Sequence, residues 1–148
     1  MTGKMVYEKP FSEEDLYKLK SNQNKRIMYL YVEEWNVTTK WMNLPKEDRR
    51  AYMNKVLGAI ADLEKAGIEN LGWALNDEHT PHRSDYRYIA VWKVPSLEDV
   101  KRFEKGVEEV DWHKYFSQRN SRGEIIPLNQ AVDFLVNLEK HSTSVIDD

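Results

Sequence analysis

The sequence has no cysteine, and that absence excludes disulfides, zinc-thiolate sites, iron-sulfur clusters and a thiol nucleophile together. A chain of this kind suits a reducing compartment. No run approaches the roughly 18 apolar residues of a membrane span, and the opening stretch MTGKMVYEKPFSEEDLYKLK has no apolar centre of the kind that marks a signal peptide. The expectation is a soluble, cytoplasmic protein. Excess charge of one sign is also missing: 22 Lys and Arg stand against 25 Asp and Glu, a net charge of -3 over 148 residues. That balance argues against a protein that grips phosphate backbones by bulk charge. The glycine loops GxGxxG and GxxxxGK[ST] and the nucleophile elbow GxSxG do not occur. At ~100 to 200 residues per domain, the length fits one domain with a core of its own.

Aromatic rings are what the sequence has in surplus: five Trp, eight Tyr and four Phe. Their placement follows from the order of elements. Residues 1–24 are mostly polar, with room for one helical turn after Ser12, and read as an arm; a single α+β domain is expected over 25–140 and a frayed tail over 141–148. Ile27 to Trp35 alternates as a strand whose two faces differ in kind. Met28, Leu30 and Val32 turn one way; Tyr29, Tyr31, Glu33 and Trp35 turn the other. The aliphatic side is expected to meet a helix layer, and the aromatic side to face a second buried space.

A helix is predicted over 46–66, opened by Pro45 and closed by Gly67, with Met53, Val56, Leu57, Ile60 and Leu63 on its apolar stripe. Strands are predicted over 71–76 and 86–94, joined by the turn-rich loop DEHTPHRSD. Ser96 followed by Asp99 resembles a capping box ahead of a helix striped by Val100, Phe103, Val107 and Val110. The segment DWHKYF either extends that helix or leads into a fourth strand around 115–120. A terminal helix over 128–138, with Val132, Leu135 and Leu138 in phase, completes the chain.

Strand, helix, strand, strand, helix, strand is the split βαβ arrangement, with helices on one face of an antiparallel sheet. With DWHKYFSQRNSRGE following the second helix, the sequence resembles the ferredoxin-like dimeric α+β barrel superfamily. That group includes cofactor-free monooxygenases, muconolactone isomerases, polyketide cyclases and haem-degrading enzymes. The resemblance covers about residues 25–127 and implies a homodimer joined through the sheets and a ligand pocket either between each sheet and its own helices or inside the shared barrel; the extra C-terminal helix is an addition.

The expected ligand is a small apolar or aromatic metabolite, with neither nucleic acid nor membrane as partner. The candidate catalytic residues are Glu33, a carboxylate among rings whose desolvation would make it a base; His113, an imidazole that could serve as general acid or base; and Tyr31, a hydroxyl donor. Tyr29, Trp35, Trp73, Tyr88, Trp92, Arg119 and Asn120 are the candidate ligand-binding residues: rings for walls, polar heads for orientation. His79 and His82 lie three apart, but Pro81 breaks any helix that would align them, so that loop reads as a solvated hairpin connection rather than a metal site. The mixed run KEDRR at 46–50 reads as a solvated helix face. No cofactor is expected. The alternatives are a binding or assembly module without catalysis, and haem binding through His113 or a loop histidine.

Overall fold

A computed structural model of the chain describes residues 27–139 and 145–147; the arm expected over 1–24 and most of the expected tail lie outside those residues. The elements run β1 (Tyr29–Val37), α1 (Thr39–Met42), α2 (Lys46–Lys65), β2 (Glu69–Leu75), β3 (Tyr88–Val94), α3 (Leu97–Glu109), α4 (Trp112–Tyr115), β4 (Phe116–Glu124) and α5 (Leu128–Val136). The four strands form one antiparallel sheet in the order β2-β3-β1-β4, so β1 is central and pairs with both β3 and β4. The class is α+β, with the predicted sequence of major elements and a C-terminal helix. Two short helices, α1 and α4, are additional.

The local signals in the sequence account for most boundaries. Ser96 Oγ accepts from the Asp99 amide at 3.1 Å and donates to the Asp99 carboxylate at 2.9 Å, which starts α3. Its stripe is as expected: Val100 and Phe103 are fully buried, and Val107 and Val110 pack beside them. Asp111 adopts the left-handed conformation, φ 55°. That residue stops α3 and lets α4 turn the chain into β4. At the end of α2, the Gly67 amide donates to Glu64 O at 3.0 Å and the Ile68 amide to Leu63 O at 3.1 Å. This is the Schellman closure with its hydrophobic contact, since Ile68 is fully buried. Arg49 has a use the charge pattern did not indicate. Its guanidinium donates to Trp41 O at 3.2 Å and Met42 O at 2.8 Å, satisfying the last carbonyls of α1.

The assignment of the sheet faces is the reverse of the expected one. Tyr31, Trp35, Ala90, Trp92 and Val94 lie on the helix side and form the core with Val56 of α2, Val100 and Phe103 of α3, and Trp112. The Phe103 ring centroid is 4.9 Å from those of both Tyr31 and Trp92, so the aromatic face meets the helix layer directly. Leu30, Val32, Ile89 and Val91 form the open face instead, with Leu30 38% exposed. Packing accounts for this. The inner sides of α2 and α3 carry Tyr52, Met53, Val56, Ile60, Leu63, Val100 and Phe103, and the rings of the sheet bury their area against these apolar stripes.

Two helical stripes also need correction. On α2 the buried side is turned toward Tyr52, Met53, Val56, Ile60 and Leu63, and Leu57 is left 55% exposed. Tyr52 anchors this orientation by donating its hydroxyl to Val110 O at 2.7 Å. Burial, with Tyr115 and Asp111 nearby, pushes its phenol up to about 12. On α5 the stripe Val132, Leu135 and Leu138 is exposed within the single chain.

Gly67 sits at φ +88°, and a Cβ there would meet only Pro95 Cγ at an ordinary 3.6 Å. Gly67→Ala is therefore expected to lower stability by about 1 to 2 kcal/mol through left-handed backbone strain rather than a clash. Urea unfolding checks this: the midpoint should fall with an unchanged slope.

Candidate functional site

Glu33 occupies the middle of β1 on the helix side, between the rings of Tyr31 and Trp35. Its neighbours across the sheet are Ala90 of β3 and Asn120 of β4. The small Ala90 side chain leaves space that a larger residue would fill. Glu33 is 6% exposed, and each carboxylate oxygen has a protein donor. Trp92 Nε1 donates to Oε1 at 2.7 Å, and Gln118 Nε2 donates to Oε2 at 2.8 Å. Gln118 is itself fully engaged: it accepts from Trp112 Nε1 at 2.6 Å and gives its second amide hydrogen to Asn120 Oδ1 at 2.7 Å. Two indoles and one amide thus direct their hydrogens along a chain that ends on the carboxylate.

Three cavities surround this network. The largest, about 380 Å³, lies between α2, α3 and the sheet, with Glu33, Trp92, Trp73 and Trp112 in its wall and Val56 and Val107 opposite. Its volume falls at the small end of the ~300 to 1,000 Å³ typical of ligand clefts. A second, of about 300 Å³, is polar and joins Tyr31, Glu33, His113, Gln118 and Asn120 with Glu104. A third, of about 350 Å³, is bounded by Trp35, Trp41, Trp73, Tyr88 and Phe116. Glu33 is in the walls of both the apolar and the polar cavity. Gly106 of α3 also lines the large one, and nothing lies within 4 Å of where its Cβ would be.

Residues 28–138 match the model of a family of unknown function, DUF6616. The chain belongs to that family. No curated protein matches it. The DUF6616 match spans every strand and helix described above, so the Glu33 network lies wholly within the matched region.

Within this DUF6616 chain the residues expected to form a site separate into three groups. Glu33, Tyr31, His113 and Asn120 come together around the polar cavity, while Trp73 and Trp92 stand with Glu33 around the apolar one. Trp35 and Tyr88 stack at 5.8 Å in the third cavity, and Tyr29 packs at the edge of the core. Arg119 is not in the site. On β4 it lies opposite Glu34 of β1 in the register and so points to the open face, with Nη1 donating to its neighbour's carbonyl, Gln118 O, at 3.2 Å. Gln118 and Trp112 are the participants that sequence reasoning missed. In FSQRNSRGE, strand alternation after the buried Phe116 puts Gln118 and Asn120 on the same inward face, and a polar residue there signals a buried partner. Glu34, opposite Ile89 in the register, lies on the open face.

The tyrosine and histidine are engaged on the polar side. Tyr31 donates to Glu104 Oε2 at 3.0 Å, and Arg122 holds the other oxygen of Glu104 at 3.1 Å. Burial and that bond raise the Tyr31 phenol well above its ordinary value, so it remains a protonated donor. His113 Nε2 lies 3.5 Å from Glu108 Oε1. The loop carrying His79 and His82 is held by Asn76, whose amide donates to Tyr86 O at 2.8 Å and Ser84 Oγ at 3.2 Å. Among the described residues there is no group of three or more side chains placed to hold a metal ion, and no helix long and apolar enough to cross a membrane.

Burial raises the Glu33 pKa above 4.5, and the donors Trp92 and Gln118 oppose the shift. The unfolded chain releases this proton in the ordinary carboxylate range, whereas the folded protein keeps it to higher pH. Over that interval the folded state binds more protons, so stability falls as pH rises. Urea unfolding from about pH 4 to about pH 8 should show this decline in the wild type and a flatter profile in Glu33→Gln, which has no proton to release.

Proposed function

We propose that this protein binds a small apolar or aromatic molecule between its sheet and its helices, with Glu33 as the polar group that meets the ligand. One observation carries this reading: a carboxylate 6% exposed, with both oxygens oriented by donors, lies in the wall of a cavity of about 380 Å³. Fixing a carboxylate in so dry a place is costly for stability alone. As an acceptor poised against a bound molecule it has a use, because each oxygen keeps a further lone pair beyond its one protein donor.

In its catalytic form the reading is cofactor-free proton transfer. Glu33 is the base, with a pKa moved toward neutrality by burial. Tyr31 and His113 line the polar cavity that shares Glu33. The alternative is an assembly module in which the aromatic layer is only core. It has less support, because the rings leave an accessible cavity beside a charged group.

The strand order β2-β3-β1-β4 with two major helices is consistent with a ferredoxin-like unit of the dimeric α+β barrel type. In that reading two copies join through the open sheet face, and the aliphatic residues Leu30, Val32, Ile89 and Val91 are the contact. An apolar sheet face of this kind is what a homodimer would cover. Ile89→Lys, at the half-buried centre of that face, is then expected to yield a monomer with unchanged circular dichroism. Sedimentation velocity reads the result, and an unchanged sedimentation coefficient overturns this interface.

Ligand binding is tested with a neutral, environment-sensitive naphthalene dye. The wild type should bind it saturably, and Gly106→Leu, which projects a side chain into the cavity while retaining a good helix former in α3, should not. Saturable binding that survives Gly106→Leu would remove this cavity as the site.

A further inference from the structure

We infer that the ligand of the large cavity is a lipophilic organic cation, a protonated or quaternary amine on an apolar or aromatic body. The inference rests on the proposed binding role of that cavity and names the class of molecule it takes.

Charge is the first argument. Among the described residues Glu33 takes part in no ion pair. The two cations in the cavity wall, Arg102 and Lys105, already face carboxylates, Asp99 and Glu109, each at 3.8 Å. Asp62 adds a further acid to the same wall. The lining therefore contains three carboxylates and two cations, and both cations lean toward acids other than Glu33. An anion entering here would meet the Glu33 carboxylate in the cavity wall. A neutral apolar molecule would strip the remaining water from the carboxylate and return nothing for it. A cation offsets that loss directly.

The second argument is the kind of wall. Trp73, Trp92 and Trp112 all line the cavity with Glu33. Trp73 and Trp112 stand edge to face, centroids 6.1 Å apart at 78°, so the two indoles present surfaces in different directions. Indole faces attract cations more strongly than other side-chain rings do, and the attraction grows when water is excluded. The N–H groups of Trp92 and Trp112 are directed to Glu33 and Gln118, and both indoles are buried, so Trp73 presents the accessible indole face. A carboxylate and an indole in one wall make a receptor for an ammonium head, and Val56, Ile60 and Val107 accept the apolar body.

The test uses three compounds of one shape and different charge: 2-naphthylmethylamine, 2-naphthylmethanol and 2-naphthoate, titrated into the wild-type protein by calorimetry. The amine is expected to bind about tenfold or more tighter than the alcohol, and the naphthoate weakest. Glu33→Gln should bring amine and alcohol to similar affinity. Trp73→Leu, at a ring 42% exposed and so replaceable without opening the core, should weaken the amine more than the alcohol. Equal binding of amine and alcohol by the wild type overturns the cation assignment and leaves the apolar-ligand reading intact. Tightest binding of the naphthoate overturns it in favour of recognition through Arg102 and Lys105. No binding by any of the three removes both this inference and the binding role it rests on.

Discussion

The burial of one carboxylate sets the terms for the rest of the structure. An ionised group taken out of water costs several kcal/mol unless hydrogen bonds or an opposite charge compensate it. For Glu33 the compensation among the described residues comes from neutral donors, Trp92 Nε1 and Gln118 Nε2. Each donor is fixed in turn by packing. Trp92 lies fully buried against Phe103, and Gln118 is held by Trp112 and Asn120. The network reaches from β3 through β1 to β4 and the start of α4. A change in any of these elements would alter what the carboxylate feels.

The aromatic layer gives this network its setting. Trp35, Trp73 and Trp112 contact one another edge to face, while Trp41, Tyr52 and Tyr115 form a second group joined to the first through Phe116. Rings of this size bridge the sheet and the apolar stripes of α2 and α3. Packed edge to face, they do not tile space fully, and the cavities beside Glu33 and Trp73 are the result. The same large, rigid side chains thus supply the core and the walls of the candidate site. In α3, Gly106 keeps the helical wall recessed at the point where the largest cavity passes it.

The two faces of the sheet differ in chemistry. The helix side holds the polar network, the indoles and the cavities. The other side presents Leu30, Val32, Ile89 and Val91 beside Glu34, Arg119 and Ser121, a mixture of aliphatic centre and charged flank that resembles an interface more than a catalytic surface. The candidate site and the proposed association face therefore lie on opposite sides of β1.

Local chemistry was legible in the sequence wherever a few neighbouring residues decide the outcome. Pro45, Gly67 with Ile68, Ser96 with Asp99, and the period of Val100, Phe103 and Val107 were enough to place two helices, and alternation in 29–35 and 88–94 placed two central strands. The alternation also separated an aliphatic from an aromatic face, and it singled out Glu33. It did not say which face the helices would cover. That is a question of packing, answered only when the apolar stripes of α2 and α3 are set against the rings of the sheet. Nor could it pair Gln118 with Glu33, 85 positions apart. The match exists because β4 lies antiparallel beside β1 in one particular register. Periodicity therefore determined the elements and the contrast between their faces. Tertiary packing alone decided which side became core and which distant donors stabilise the buried acid, because both depend on how separate elements share space.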